Sequence, residues 1–132
     1  MKKVFVNGTF DLIHPGHLEL LYYAKSLGDF LLVALDTDER VKELKGPSRP
    51  INNMQTRAMI MQSFKPVDRV VSFGSDKGLE NIIKDYKPDI MMVGSDYKTK
   101  KVIGSEYAKK LIFFDRITNY SSTKIIESIL CL

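Results

Sequence analysis

The chain has 132 residues with 20 Lys and Arg against 16 Asp and Glu, and its net charge of +4 suits nucleic acid, an anionic membrane surface or a phosphate-rich small molecule. Its hydrophobic fraction of 44% excludes a disordered chain, and its length predicts one domain over residues 1–132. The absence of a membrane-length apolar run or a signal pattern, together with a single cysteine at position 131, indicates a cytoplasmic protein without an internal disulfide.

Short apolar runs alternate with helical patterns along the chain. In order, the N-terminal half predicts strand Lys2–Val6, helix 18–25, strand Phe30–Leu35, helix Glu39–Leu44 and helix Met54–Phe64. The C-terminal half predicts strand Arg69–Phe73, helix 79–86, strand Asp89–Val93, helix Ser105–Lys110, strand Leu111–Phe114 and a last helix from about Ser121. The apolar residues that this last helix is expected to bury are Ile125, Ile126, Ile129 and Leu130.

This alternation predicts an α/β fold: a Rossmann-like open, mostly parallel five-stranded sheet with helices on both faces. The continuously apolar second strand supports it, because strands of a parallel sheet are covered on both sides. Ligands of such sheets bind beyond the carboxyl ends of the strands. The loops of interest therefore begin at Asn7, Asp36, Gly94 and Asp115.

Both histidines of the chain lie in the loop after the first strand, as His14 and His17. Pro15 suits the first turn of a helix, and residues three apart at a helix start share one face. The two imidazoles are therefore expected to point together above the sheet, beside the positive end of the helix. Such a pair can donate hydrogen bonds to phosphate oxygens where charge builds up in a transition state.

Two other interpretations of the histidines stay open. One histidine can cap the helix while the other lies on the surface. Alternatively, the pair can bind a metal ion, but only carboxylates could complete the shell, because the chain has one cysteine and no third histidine. We assign no metal ligand.

Three further segments carry candidate ligands for anions or sugars. Arg116 precedes three hydroxyl residues at a helix start, Ser121, Ser122 and Thr123, which predict a phosphate seat or an ordinary cap. Lys45 and Arg49 lie on a loop rich in Gly and Pro, and Arg57 follows on a helix, where it reaches the site or covers the sheet edge. Two carboxylates, Asp36 and Asp96, follow strands and can hold a ribose, a base or a metal-bound water, or cap helices.

Other classes of phosphate-binding protein are disfavoured. The chain lacks G-x-x-x-x-G-K-[ST], and no G-x-G-x-x-G follows the first strand, which argues against a P-loop kinase and a dinucleotide oxidoreductase. Its lysines are dispersed among carboxylates without interleaved aromatic residues, which argues against nucleic acid.

The residues of the histidine loop match a known family. Gly8–Asp11 followed by His14–His17 resembles the signature of the cytidylyltransferase-like nucleotidyltransferases, and Arg116 with Ser121–Ile126 resembles their second motif. The departures are Ile117 and Asn119, where the family pattern has Thr and Gly.

Two subfamilies compete. Leu44–Ile51 with Arg57 resembles the adenylyltransferase domain of ADP-heptose synthase, as do Gly94–Tyr97 and Ile103–Glu106. The compact size and Arg116 resemble glycerol-3-phosphate cytidylyltransferase, which makes CDP-glycerol from CTP. The first is favoured, and a non-catalytic nucleotide-binding module, motivated by the two departures, is the further alternative.

The resemblance implies attack by a substrate phosphate on the α-phosphorus of a nucleoside triphosphate, with release of pyrophosphate. Expected roles in catalysis fall to His14, His17, Lys45 and Arg116. The nucleotide is assigned to Thr9, Phe10, Asp96, Ser121, Ser122 and Thr123, and the acceptor to Asp11, Asp36, Arg49 and Arg57. The expected partners are ATP or CTP with Mg²⁺, a phosphorylated sugar or polyol, and a second copy in a homodimer, with no nucleic acid and no membrane.

Overall fold

The protein forms a parallel five-stranded sheet. The computed structural model describes residues 1–95, 100–115 and 122–131, with only the backbone of Ser122. The strands are β1 (Lys3–Gly8), β2 (Phe30–Asp36), β3 (Arg69–Phe73), β4 (Ile90–Gly94) and β5 (Lys110–Phe114). They are arranged in the order β3-β2-β1-β4-β5, and every neighbouring pair is parallel. The predicted fold class is confirmed.

Helices follow the strands as the alternation predicts. They are α1 (Pro15–Ser26), α2 (Asp38–Lys45), α3 (Met54–Ser63), α4 (Asp76–Tyr86) and α5 (Ser122–Leu130). Side chains cap the N-termini of α1 to α4, as at α3, where Asn53 accepts a hydrogen bond from the backbone N–H of Thr56 at 2.9 Å. In the part of the chain that the structure describes, none of the helices has the length and apolar character needed to cross a membrane.

The core lies on both faces of the sheet. In β1, Val4 and Val6 pack into a cluster with α1 and α3, whereas Phe5, which points to the other face, packs into a second cluster with α4. Residues of β2 alternate in the same way. Leu31 to Leu35 are at most 5% exposed, which explains why the strand is apolar at every position.

The topology places a crevice at the centre of the sheet. The chain runs outward from β1 to β3 on one side, then crosses to β4 and β5 on the other. The loops that follow β1 and β4 therefore leave on opposite sides, which is where ligands of open α/β sheets bind.

Two predictions about the C-terminal part of the chain are wrong. The helix predicted over Ser105–Lys110 is only a 3₁₀ turn, Ser105–Tyr107, because the backbone N–H of Lys110 bonds to Asp89 O and the chain enters β5 there. In α5, Ile129 is 59% exposed and Leu130 is 79% exposed, because neither packs into the core clusters of the described residues, and Ile125 and Ile126 are half-buried rather than buried.

Candidate active site

A cleft of about 520 Å³ opens beyond the carboxyl ends of the strands. Its walls come from the loop after β1, the start of α1, the ends of β2 and β4, and α5. Eight of the residues predicted to act on the phosphates, the nucleotide or the acceptor lie along it: Thr9, Phe10, Asp11, His14, His17, Asp36, Lys45 and Thr123. The sequence-distant loops thus converge on one site.

The two histidines are held as a stacked pair at the start of α1. Their ring centroids are 3.7 Å apart and the rings are 27° from parallel. His14 Nδ1 accepts the backbone N–H of Gly16 at 3.1 Å, and His17 Nδ1 accepts the backbone N–H of His14 at 3.2 Å. Because each Nδ1 is an acceptor, a neutral ring carries its proton on Nε2. Each imidazole can therefore donate one hydrogen bond from Nε2.

In this arrangement, helix capping and exposure to the cleft are combined in the histidine pair. His14 is the N-cap of α1 and is only 6% exposed, and the same ring lines the cleft together with His17. Two Nε2–H donors beside a helix N-terminus form a neutral donor set suited to phosphate oxygens. Helix capping fixes the orientation of the rings, so they need little reorganisation when an anion binds.

The loop before the histidines has an unusual backbone. Phe10 has φ of +48°, a left-handed value that costs energy for a bulky residue and persists only where its surroundings enforce it. Its ring packs at 5.1 Å from the ring of His17 and is 6% exposed. The conformation brings the backbone of Thr9 and Phe10 to the cleft wall.

Arg57, predicted to bind the acceptor, lies instead beneath the cleft. It is completely buried and is not among the residues that line the cavity. Its guanidinium donates to Thr9 O at 3.0 Å, to Asn52 O at 3.0 Å and to Asp38 Oδ1 at 2.8 Å. Burial acts to raise the pKa of Asp38, but the hydrogen bond from Arg57 and that from the Met54 backbone outweigh it, so the pKa lies below its ordinary value. Arg57 therefore positions the Thr9–Phe10 loop.

Asp11 anchors the loop that follows Lys45. It is 2% exposed, and its two oxygens accept the backbone N–H groups of Ile51 at 2.7 Å and Asn52 at 2.8 Å. The same carboxylate lies 3.7 Å from Arg49 Nε. These contacts hold the segment after α2 against the histidine loop, and Lys45 at the end of α2 lines the cleft.

Arg49 connects this loop to α5. Its Nη1 lies 3.5 Å from Thr123 Oγ1, and its side chain is 11% exposed. Nε and Nη2 of Arg49 are buried and make no hydrogen bond to any described residue. A guanidinium placed in this way has unused donors that an anionic or hydroxyl-bearing ligand can occupy.

Asp36 lies at the end of β2 with a partner that the sequence analysis did not identify. Its Oδ1 accepts Arg40 Nε at 3.0 Å and its Oδ2 accepts Thr9 Oγ1 at 3.1 Å. Burial acts to lower the pKa of Arg40, but the hydrogen bond to Asp76 and the charge of Asp36 raise it overall. The spacing of four residues was a usable signal for the Asp36–Arg40 pair, because a side chain just before a helix N-cap can meet one in the first turn of that helix.

Several predicted residues are not described. Asp96, Arg116 and Ser121 lie outside the described residues, as does the side chain of Ser122. Lys101 also lines the cleft, and no sequence signal distinguishes it from its lysine neighbours. Within residues 1–95, 100–115 and 122–131, no group of three or more His, Cys, Asp or Glu side chains is arranged to hold a metal ion.

Comparison with known proteins agrees with this geometry. The family model described as cytidylyltransferase-like matches residues 5–128. A curated relative from Helicobacter hepaticus, named bifunctional protein HldE, is 48% identical over 128 residues, which are 97% of this chain and 26% of the relative. The protein of the same name from Campylobacter fetus is 46% identical over 126 residues, which are 96% of this chain and 27% of the relative. The chain thus spans about a quarter of the length of the curated relatives it matches.

Solved structures share the fold. The lipopolysaccharide core biosynthesis protein from Thermoplasma volcanium has a TM-score of 0.69 and 28% identity, covering 92% of this chain and 99% of that one. A protein of unknown function from Archaeoglobus fulgidus has a TM-score of 0.68 at 19% identity, covering 92% and 94% of the two chains, and it supports the fold alone. Because the family model covers nearly the whole chain and includes both histidines, the chain belongs to the cytidylyltransferase-like family of nucleotidyltransferases.

Proposed function

We propose that this chain transfers an adenylyl group from ATP to a heptose 1-phosphate of the D-glycero-β-D-manno type, releasing pyrophosphate. The observation that carries the proposal is the Lys45–Ile51 loop, which resembles that of ADP-heptose synthase and is anchored by Asp11 along the cleft. Relatives named HldE at 46–48% identity support the same choice.

The cleft suits in-line attack of one phosphate on another. Such a reaction requires positioning and charge neutralisation more than it requires a nucleophile of the protein. His14 and His17 donate from Nε2 to oxygens of the reacting phosphates, while Lys45 supplies a positive charge from the end of α2. The attacking oxygen belongs to the acceptor phosphate, and the electron pair of the broken bond leaves with pyrophosphate.

Further expectations accompany this proposal. Mg²⁺ is expected to arrive with the nucleotide, held by triphosphate oxygens, and to neutralise part of their charge. Arg116, Ser121, Ser122 and Thr123 are expected to seat the β- and γ-phosphates, with Asp96 near the base or ribose. We also expect a homodimer.

Measurement of pyrophosphate release tests the proposal. Purified protein with Mg²⁺ is combined with ATP, CTP, GTP or UTP. Each nucleotide is tested in turn with heptose 1-phosphate, with hexose 1-phosphates and with glycerol 3-phosphate. The expected result is the highest kcat/KM with ATP and heptose 1-phosphate. Highest activity with CTP and glycerol 3-phosphate would favour the cytidylyltransferase instead, and nucleotide binding in calorimetry without turnover on any pair would favour a non-catalytic binder.

A further inference from the structure

The β2 end of the cleft carries a paired carboxylate and guanidinium. Asp36 is 8% exposed and the Arg40 side chain is 14% exposed, and both line the cavity. Arg40 is fixed from two further sides: its Nη2 donates to Asp76 Oδ1 at 2.6 Å, and its guanidinium lies 5.3 Å from the centre of the Phe73 ring. The pair is therefore held in place before any ligand binds.

The pair retains hydrogen-bonding capacity. Each oxygen of Asp36 accepts one hydrogen bond, from Arg40 Nε or from Thr9 Oγ1, and a carboxylate oxygen can accept a second. Nη1 of Arg40 makes no hydrogen bond to any residue that the structure describes. Acceptors and donors thus stand side by side, which is the pattern that neighbouring hydroxyl groups require, since each hydroxyl both donates and accepts.

The charge at this end of the cleft disfavours phosphate. One arginine lies between the carboxylates of Asp36 and Asp76, which leaves an excess of negative charge. The other described wall residues that can bind an anion are His14, His17, Lys45 and Lys101, and Lys101 also lines a neighbouring pocket together with the carboxylates of Asp76 and Glu80. A ligand that carries both a phosphate and hydroxyl groups is therefore oriented with its phosphate toward the histidines and its hydroxyl groups toward Asp36.

We propose that the Asp36–Arg40 pair binds neighbouring hydroxyl groups of the phosphorylated acceptor and sets the specificity for a polyol or sugar. The inference rests on the proposed function. The ribose of the nucleotide offers the same chemistry, and deoxygenated acceptors and nucleotides distinguish these two sources.

The test compares wild type with Asp36→Asn, which keeps the size of the side chain and removes its charge. With ATP and heptose 1-phosphate, we expect kcat/KM for the acceptor to fall about tenfold to a hundredfold, the range for one or two hydrogen bonds to a charged group. The KM for ATP is expected to change less than about twofold. Asp85→Asn, at an exposed carboxylate on α4, is the matched control and is expected to match wild type.

Deoxygenated substrates distinguish the two sources of hydroxyl groups. A series of acceptors is tested, each lacking one hydroxyl group. For at least one of them, we expect wild type to have a low kcat/KM and Asp36→Asn to lower that value little further. With 2′-deoxy-ATP and 3′-deoxy-ATP, the penalty of Asp36→Asn is expected to persist unchanged. If that penalty disappears with a deoxynucleotide instead, or if both KM values shift equally, the inference is overturned.

Failure of the inference is separable from failure of the proposed function. If no acceptor turns over with wild type, the proposed function fails, and calorimetric titration of the same acceptors into wild type and Asp36→Asn decides the inference. Weaker binding by the variant supports it; equal binding, or no binding to wild type, overturns it. If circular dichroism shows that Asp36→Asn does not fold, Arg40→Lys replaces it in each experiment. This substitution keeps the positive charge but removes the planar guanidinium and its several donors.

Discussion

Replacement of Arg57 by Met tests whether this buried arginine fixes the loop that lines the active site. The substitution keeps an unbranched, buried side chain of similar length and removes all three hydrogen bonds, to Thr9 O, Asn52 O and Asp38 Oδ1. Arg57 has no exposed surface, so its partners lose donors that water cannot easily replace.

The expected loss in the free energy of unfolding is about 3 kcal/mol, at the low end for breaking a buried ion pair. We choose the low end because the Asp38 side chain is 29% exposed and can be partly hydrated. Arg69→Met, at an exposed arginine on β3, is the control and is expected to change stability by less than about 0.5 kcal/mol. Urea unfolding followed by circular dichroism measures both.

The pH dependence gives a second readout of the same variant. The folded-state pKa of Asp38 lies below its ordinary value of 3.8, so the stability that Asp38 contributes is present above that pH and is lost as pH falls through the folded-state pKa. The gap in stability between wild type and Arg57→Met is therefore expected to narrow as pH falls below about 4. A loss under about 1 kcal/mol at neutral pH, or a stability gap that widens in acid, would show that Arg57 does not stabilise the fold through Asp38.

Three further predictions concern catalysis and backbone. His17→Ala is expected to lower kcat at least about a hundredfold while the unfolding midpoint in urea changes little, because the ring donates to the reacting phosphates; a collapse of stability with retained turnover would contradict its role. Lys45→Ala is expected to lower kcat/KM more at low salt than at high salt in steady-state assays, because its charge acts on phosphates. Gly104→Ala is expected to cost about 2 kcal/mol more than Gly46→Ala. Both glycines have positive φ, but an added Cβ meets Ile83 Cδ1 at 2.5 Å only at Gly104, whereas Gly46 faces open space; equal losses in urea would exclude the steric explanation.

Much of the fold was accessible from the sequence because its signals are local. The apolar run Phe30–Leu35 coincides with β2 except for Asp36, which extends the strand, and the strand over Arg69–Phe73 has the predicted ends. The helix predicted over Ser105–Lys110 is wrong because the pairing of Lys110 with Ile90 in the sheet overrides the local helix propensity. Ile129 is exposed because the periodicity of a helix shows which residues share a face but not whether another element packs against that face.

The site divides in a similar way. The spacing of His14 and His17 was sufficient to predict a convergent pair, because a helix start fixes their relative direction. The position of Arg57 beneath the cleft was not predictable, since it depends on carbonyl groups 48 and five residues away in the chain. In the sequence, a cation near a phosphate site can either bind the ligand or position the loop through hydrogen bonds. Only the burial of its side chain in the structure distinguishes these two roles.

Isotope transfer is the most direct test of the central claim that this cleft catalyses nucleotidyl transfer. Wild type and His17→Ala are incubated with heptose 1-phosphate, Mg²⁺ and ATP labelled at either the α- or the γ-phosphate. We expect wild type to move the α-label to the sugar and to release the γ-label in pyrophosphate, and His17→Ala to do so at least about a hundredfold more slowly. Transfer of the γ-label to the sugar would contradict the claim. So would failure to label any acceptor when CTP, GTP and UTP are tested in the same way.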